Sequence, residues 1–124
     1  MEFKSRRLAD VVVAAPAGRI DHGSADSFGD QLAPILEQCA DGRDRIALDF
    51  SAVEYISSVG LRVLMVAAKQ AKAQGGKIVI AGMQPVVKEI FDISRFSFVF
   101  ASFPTLRDAI EHLSPMALAA LDAK

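Results

Sequence analysis

Residues 78–80, with the sequence Ile-Val-Ile, constrain the fold more than any other part of the chain. A short, uninterrupted apolar run is typical of a strand that is buried on both faces, as in a parallel sheet. Before it, residues 58–74 place apolar side chains at helical spacing, which indicates a helix. Gly75 and Gly76 follow, and glycine is typical of the end of a helix. Pro85 after it suits the first turn of another helix. A strand between two helices predicts a parallel sheet covered by helices.

Further strands and helices follow from the same periodicities. The valine-rich segment 8–15 is predicted to form a hairpin with a short strand at 19–20, across a turn at 16–18. Period-two alternation predicts a strand over 45–50, and a further short strand is predicted over 98–100. Apolar residues at spacings of three and four predict four helices, over segments 28–39 (kinked at Pro34), 58–74, 86–91 and 106–113.

The predicted order is β-β-α-β-α-β-α-β-α. This is an α/β fold with a mostly parallel mixed sheet, an N-terminal hairpin and about four α-helices. A single domain is expected to span 1–124. Pro115 disfavours helical backbone at Ser114, so the tail 114–124 is expected either to form a separate turn of helix or to fray.

The charge balance argues against several classes of protein. The chain has 14 Lys and Arg residues and 15 Asp and Glu residues, which leaves a net charge of −1. Nucleic-acid binders usually carry a basic face, and membrane-attached chains a polybasic segment. No apolar run approaches the roughly 20 residues of a membrane span, and no secretory signal is evident. Together with the single cysteine, Cys39, these features predict a cytoplasmic protein that neither binds nucleic acid nor inserts into a membrane.

The residues that commonly carry out catalysis do not fall into a recognisable arrangement. His22 and His112 match no metal-ligand spacing. Lys77 follows two glycines but lacks the other residues of a phosphate-binding loop, and Ile56 occupies the place of the first glycine of a nucleophile elbow around Ser58. We therefore expect no enzyme activity, no catalytic residues, no metal site and no cofactor.

Segment 49–61 is the most informative for function, because it runs from a strand through a loop into a helix that begins near Ser57 and Ser58. Helix capping accounts for one serine, since a hydroxyl that accepts a bond from a free N–H stabilises a helix by about 1 kcal/mol. Capping does not account for Gly60, which costs up to about 1 kcal/mol relative to alanine. We interpret Gly60 as leaving the backbone open to a partner or an anion.

Phosphorylation is a second interpretation of these serines. A helix N-terminus stabilises a phosphate through its free N–H groups and the helix dipole. The added charge, about −1.5 to −2, would change the surface offered to a partner without unfolding the domain. Arg62 lies one turn after Ser58, where it either pairs with the phosphate or is simply solvated.

Several stretches, in this order, resemble motifs of the STAS domain family, in particular those of stand-alone anti-sigma factor antagonists. Residues 18–25 (Gly-Arg-Ile-Asp-His-Gly-Ser-Ala) resemble the motif Gly-x-(Leu or Ile)-Asp-x-x-(Ser, Thr or Asn)-Ala at the start of the first helix. Residues 48–51, with Val53 and Ile56 after them, resemble the central strand and its loop. Residues 57–61 (Ser-Ser-Val-Gly-Leu) are similar to the signature Asp-Ser-(Ser, Thr or Ala)-Gly-Leu, and residues 76–82 to the next strand.

The resemblance implies a STAS fold and a cytoplasmic bacterial regulator that works by partner switching. The unphosphorylated form would bind an anti-sigma factor, often also a serine kinase, and phosphorylation of the signature serine would end that binding. A serine phosphatase would reverse the modification. By alignment this serine is Ser58, and Ser57 is a competing acceptor because it stands where many phosphorylated members have Asp. The residues expected to contact the partner are Asp21, Ser24, Ser57, Ser58, Val59, Gly60 and Arg62.

The same family also offers an alternative role. Some STAS proteins are scaffolds that are not phosphorylated, or subunits of lipid ABC transporter complexes. Such a role predicts a constant partner and no phosphate turnover.

A phenylalanine-rich segment near the C-terminal end raises a separate question. Alternation places Phe96, Phe98 and Phe100 on one side of a strand. There they either pack against the sheet or form an exposed patch for a partner or a homodimer. The solvent exposure of Phe98 distinguishes these two interpretations.

Overall fold

A six-stranded sheet with helices on both faces is formed by residues 1–123, the part of the chain that the computed structural model describes. The strands are β1 (Glu2–Leu8), β2 (Val11–Ile20), β3 (Arg45–Asp49), β4 (Val53–Ile56), β5 (Ile78–Ala81) and β6 (Ser102–Phe103). The helices are α1 (Ala25–Glu37), α2 (Ser58–Ala73), α3 (Pro85–Ile93), α4 (Leu106–Leu113) and α5 (Pro115–Asp122), with a 3-10 turn at Phe96–Phe98. Among these helices, none combines the length and the apolar character that a transmembrane span requires.

The sheet is parallel except at its N-terminal edge. Its strand order is β1-β2-β3-β5-β6, with β1 antiparallel to β2 and every other pair parallel. Strand β4 pairs in parallel with the last residues of β2. The predicted mostly parallel α/β fold with an N-terminal hairpin is therefore confirmed.

Two apolar cores form because side chains alternate between the two faces of each strand. In β3, Ile46 and Leu48 belong to the larger core, under α1, α2 and α3, whereas Ala47 belongs to the smaller core, under α4 and α5. Strand β5 divides in the same way, with Ile80 in the larger core and Val79 in the smaller one. Burial on both faces explains why residues 78–80 are uninterruptedly apolar.

The strands of the hairpin differ from those expected. Strand β2 runs without a break from Val11 to Ile20, its partner β1 lies in the charged N-terminal segment, and the turn falls at residues 9–10. The prediction of a turn at 16–18 was wrong. Pro16 is tolerated because β3 pairs with β2 only as far as Ala14, and β4 pairs from Gly18 onward. At Pro16, β2 pairs with β1 but with neither β3 nor β4. The N–H that proline lacks is therefore not needed by a second neighbouring strand.

The prediction of a strand at 98–100 was also wrong. Residues Phe96–Phe98 form a 3-10 turn instead, and the last strand, β6, lies at Ser102–Phe103. The reason is that Phe96 and Phe100, four residues apart, both pack against Phe91, with ring centroids 5.7 Å and 6.3 Å away. Phe98 points away from this cluster and is exposed. Spacing by four, which favours a helical turn, was mistaken for alternation.

The C-terminal tail forms the separate helix that was one of the two expectations. The hydroxyl of Ser114 accepts a hydrogen bond from the N–H of Ala117, 3.2 Å away, and so caps α5. The same hydroxyl donates to the carboxylate of Asp10 in the β1–β2 turn, and Ala117 is fully buried. The tail therefore packs on the hairpin and is not frayed; Lys124, the last residue of the predicted tail, lies outside the described residues.

A pH-dependent ion pair ties β1 to the segment before β3. The guanidinium of Arg7 donates to both carboxylate oxygens of Asp44, at 2.8 Å and 2.7 Å, and this bonding holds the pKa of Asp44 below its usual value. The pair therefore stabilises the fold above the unfolded-state pKa, about 3.9, and its contribution is lost as the pH falls through the lower folded-state pKa.

We expect Arg7→Gln to lower the free energy of unfolding by less than about 1 kcal/mol at pH 7, because the side chain of Arg7 is 56% exposed and solvent screens the pair. The difference from the unmodified chain should shrink as the pH falls through the folded-state pKa of Asp44. Urea unfolding at a series of pH values measures it. A difference that stays constant down to acid pH would contradict the assignment.

Candidate functional site

Two of the segments singled out in the sequence meet at one end of the sheet. Parallel pairing places Ile20 of β2 beside Ile56 of β4. The next residues, Asp21 and Ser57, therefore begin neighbouring loops, and the N–H of Ser57 donates to the carbonyl of Ile20 at 2.8 Å. Segments 36 residues apart in sequence thus form one surface, as expected of the carboxyl ends of parallel strands.

The two serines at the start of α2 have different environments. Ser57 is the N-cap residue, its side chain accepts from the N–H of Gly60 at 3.2 Å, and only 8% of the residue is exposed. Ser58 is the first residue of the helix and is exposed. The cap therefore uses the hydroxyl of Ser57 and leaves that of Ser58 free for a reaction.

The absence of a side chain at Gly60 has a different cause from the one expected. A Cβ atom there would lie 2.7 Å from Cγ2 of Ile20 and 2.8 Å from Cγ1 of Ile56, both closer than real Cβ contacts. The close approach is made by strands β2 and β4 and not by an outside partner. Gly60 thus sets how near α2 can come to the sheet, and so where Ser58 is presented.

Asp21 and Ser24 hold the neighbouring loop in shape. The hydroxyl of Ser24 donates to the carbonyl of Arg19 at 2.6 Å and accepts from the N–H of Asp21 at 3.0 Å. The carboxylate of Asp21 accepts from the N–H of Gly23, also at 3.0 Å. Helix α1 begins directly after this loop and has no side-chain cap. Ser24 is therefore used within the loop, whereas the side chain of Asp21 is still 43% exposed.

Arg19 is a charged residue of this surface that the sequence analysis missed. Its guanidinium carbon lies 4.4 Å from the ring centroid of Tyr55, and its Nε is 3.8 Å from a carboxylate oxygen of Asp21. A guanidinium over an aromatic face is attracted to the ring and stays available to an anion. Arg19 could have been recognised only from its pairing with Tyr55. That pairing depends on β4, a strand that the sequence did not predict.

A groove between α1 and α2 begins beside Ser58 and has a volume of about 380 Å³. The predicted contact residues Val59 and Arg62 line it from α2, and Asp26 lines it from the first turn of α1. Arg62 is exposed and makes no ion pair within residues 1–123. An apolar groove with one cation and one carboxylate at its rim suits contact with another protein.

Cys39 and His112 serve packing elsewhere. Cys39 is fully buried, its thiol donates to the carbonyl of Lys77 at 3.3 Å, and burial raises the pKa of the thiol. The ring of His112 lies 5.0 Å from that of Phe103. Neither residue lies in the loops that present Ser58.

The sequence from residue 2 to residue 109 matches the STAS domain. The chain belongs to the STAS domain family. BtrV of Bordetella bronchiseptica, provisionally named an anti-sigma factor antagonist, is 31% identical over 100 residues, which are 81% of this chain and 84% of BtrV. The anti-sigma-B factor antagonist of Bacillus subtilis is 35% identical over 63% of this chain and 68% of its own length.

Solved structures share this STAS fold. The anti-sigma factor antagonist SpoIIAA in its unphosphorylated form superposes with a TM-score of 0.73 at 18% identity, covering 90% of this chain and 96% of SpoIIAA. SpoIIAA of Bacillus in its phosphorylated form gives a TM-score of 0.67 at 16% identity, over 91% and 100% of the two chains. The resemblance inferred from the sequence motifs is therefore confirmed.

The two serines of the STAS signature should respond differently to alanine. Ser57→Ala removes the cap of α2 and should lower the free energy of unfolding by about 1 kcal/mol. Ser58→Ala removes an exposed hydroxyl and should change it by less than about 0.5 kcal/mol. Urea unfolding followed by far-ultraviolet circular dichroism measures both. Equal losses for the two variants would show that the assignment of the cap is wrong.

Proposed function

We propose that this STAS domain is an anti-sigma factor antagonist whose binding to an anti-sigma factor is ended by phosphorylation of Ser58. The observation that carries the proposal is the contrast at the start of α2, where Ser57 is buried in the cap and Ser58 is exposed. The names of the relatives BtrV and the anti-sigma-B factor antagonist support the class of partner. The phosphorylated form of SpoIIAA supports the class of modification.

The position of Ser58 suits a modification that changes a surface while preserving the fold. A phosphate on the first residue of a helix is stabilised by the free N–H groups and the dipole of that helix. It adds about two negative charges to the rim of a partner-binding surface. Ser57 is the less favourable acceptor, because its modification would break the cap that it makes with Gly60.

The proposed partner surface combines the exposed parts of both loops. Asp21, Ser58, Val59 and Arg62 present side chains to it, while Ser24, Ser57 and Gly60 hold its shape from within. A serine kinase, which is often the anti-sigma factor itself in this family, would phosphorylate Ser58, and a serine phosphatase would restore it. We place this cycle in the cytoplasm.

The test combines phosphate mapping with a binding measurement. The chain is incubated with ATP and each serine kinase of the anti-sigma class from the same genome, and then analysed by intact mass and peptide mapping. We expect one phosphate, on Ser58. Ser58→Asp should weaken binding to that kinase about tenfold, as expected of a charge added at an interface rim, and Ser58→Ala should preserve it. Ser97→Asp, at an exposed serine away from the site, is the matched control.

The outcomes separate the alternatives. Phosphate on Ser57 would keep the switch and move its site by one residue. Equal binding by the Ser58→Asp and Ser58→Ala variants would contradict the switch. No phosphate with an active kinase, together with co-purification of a membrane ATPase, would support a scaffold or a lipid ABC transporter subunit instead.

A further inference from the structure

We propose that the face formed by helices α1 and α2 joins two copies of this chain. The two helices carry charges of opposite sign, because every charged residue of α1 is acidic and every charged residue of α2 is basic. All of these side chains are exposed, and none makes an ion pair within residues 1–123. They are Asp26, Asp30 and Glu37 on α1, and Arg62, Lys69 and Lys72 on α2.

Helix dipoles account for only part of this separation of charge. Asp26 in the first turn of α1 and Lys72 in the last turn of α2 complement the dipoles of their own helices. Glu37, the last residue of α1, and Arg62, close to the start of α2, lie towards the ends where their charge opposes the dipole. The dipoles therefore do not explain the placement of these two residues.

The charges form stripes along the two rims of the groove between α1 and α2, which begins beside Ser58 and has a volume of about 380 Å³. The acidic residues of α1 are spaced by four and seven, so they share one side of that helix. Arg62 and Lys69, seven residues apart, share one side of α2 in the same way. Asp26 and Arg62 line the groove from its opposite rims. The groove therefore has an acidic rim on α1 and a basic rim on α2.

Three further cationic groups reach these helices but lie outside the groove. Lys72 lines a different groove, at the end of α2 beside α4. The ammonium of Met1 donates to the hydroxyl of Ser27, and the guanidinium of Arg43 donates to the side chain of Gln38. Neither Ser27 nor Gln38 lines the groove between α1 and α2, so its two rims keep opposite signs.

The accessible apolar residues of this groove differ in size between the two helices. Helix α2 presents Val59, Val63 and Val66, of which Val66 is exposed. Helix α1 presents Gly29 and Ala33, of which Ala33 is exposed. Large side chains on one helix pack well against small residues on another, because the small residues leave room for them. The same face thus carries both halves of a packing contact.

The two helices are in register with each other. They run in the same direction, since each connects strands of a parallel sheet. A Cβ atom at Gly29 would lie 3.5 Å from Cγ1 of Val63, so these two residues are level. Counted from them, three sets of residues lie within two residues of the same level, or about 3 Å. They are Arg62 with Asp26 and Asp30, Val66 with Ala33, and Lys69 with Glu37.

These residues meet between two copies that are related by a two-fold axis parallel to the helices. Such an axis keeps every residue at its level and places α2 of each copy against α1 of the other. The basic rim of each copy then faces the acidic rim of the other, and the valines of α2 face the small residues of α1. An axis running across the helices would instead place α1 on α1, with acid against acid. The charges therefore favour a second copy, in one orientation, as the occupant of this face.

The dimer face overlaps the surface proposed for the anti-sigma factor. Val59 and Arg62 belong to both, so self-association and partner binding would compete for the chain. The dimer is measured on the unphosphorylated chain alone, without kinase or ATP. The two proposals can therefore fail independently.

The test is sedimentation equilibrium of the full chain over a range of protein concentrations. We expect a monomer–dimer equilibrium in which Val66→Ser raises the dissociation constant of the dimer about tenfold, because each dimer loses two apolar contacts near its centre. Val86→Ser is the matched control, since Val86 is 56% exposed, against 58% for Val66, but lies on α3. The control should leave the dissociation constant unchanged, and thermal unfolding checks that both variants fold.

Charge reversal tests the orientation of the two copies. Arg62→Glu should raise the dissociation constant about tenfold or more, and adding Asp30→Arg to it should restore part of the loss, because opposite charges then face each other again. Lys72→Glu makes the same change on the same helix but outside the groove, and it should have no such effect. A monomer at every concentration, or a dimer that neither Val66→Ser nor Arg62→Glu weakens, would overturn the proposal and leave this face to a different partner.

Discussion

Replacing Gly60 with alanine should lower the free energy of unfolding by about 2 kcal/mol, although alanine is the better helix former by up to about 1 kcal/mol. The added methyl group would lie 2.7 Å from Ile20 Cγ2, 2.8 Å from Ile56 Cγ1 and 3.1 Å from the carbonyl oxygen of Ile20. Both isoleucines are almost completely buried, and the carbonyl belongs to a strand. Relief of the contacts therefore requires α2 to move away from the sheet.

Gly29 provides the matched control, since it is also a glycine in the first turns of a helix. A Cβ atom there would lie 3.5 Å from Cγ1 of Val63, which is an ordinary contact. Gly29→Ala should therefore raise the free energy of unfolding by about 0.5–1 kcal/mol, through helix propensity alone. Urea unfolding followed by circular dichroism suits both variants, because the chain contains no tryptophan and one tyrosine. Similar effects of the two substitutions would show that packing against the strands does not explain Gly60.

The buried parallel strands were the part of the fold that the sequence could predict. Residues 78–80 and 45–50 are apolar or alternating because helices cover these strands on one or both faces, so local periodicity carries the information. Strand β1 has no such pattern. It is an edge strand whose exposed residues include Lys4, Arg6 and Arg7, as is common where an edge must not pair with another chain.

The candidate site could be predicted only in part, for a related reason. The STAS motifs identified Asp21 and Ser58 from local sequence. Their meeting point depends on β4, a strand of four residues in which only Val53 and Ile56 are buried. So short a segment has no periodicity to detect, and its pairing with β2 is a non-local contact. The contact of Arg19 with the ring of Tyr55 follows from that pairing. So does the need for glycine at position 60, where a side chain would collide with β2 and β4.

Phe91→Ala should lower the free energy of unfolding by about 3–5 kcal/mol, the largest effect expected of any substitution considered. Phe91 is 1% exposed and contacts the rings of Phe96 and Phe100 as well as the larger core. Its removal leaves a cavity beneath the 3-10 turn, and the segment between α3 and β6 loses the packing that holds it.

Phe98→Ala is the matched control, because it removes a phenylalanine ring from the same segment without removing a buried one. Phe98 belongs to the same phenylalanine-rich segment, but it is exposed, so its replacement should change the free energy of unfolding by less than about 0.5 kcal/mol. Urea unfolding at low protein concentration, followed by circular dichroism, compares the two. A large loss for Phe98→Ala under those conditions would mean that the segment packs as a strand with all three rings on one side. A small loss for Phe91→Ala would mean that the turn is held by its backbone and not by the ring cluster.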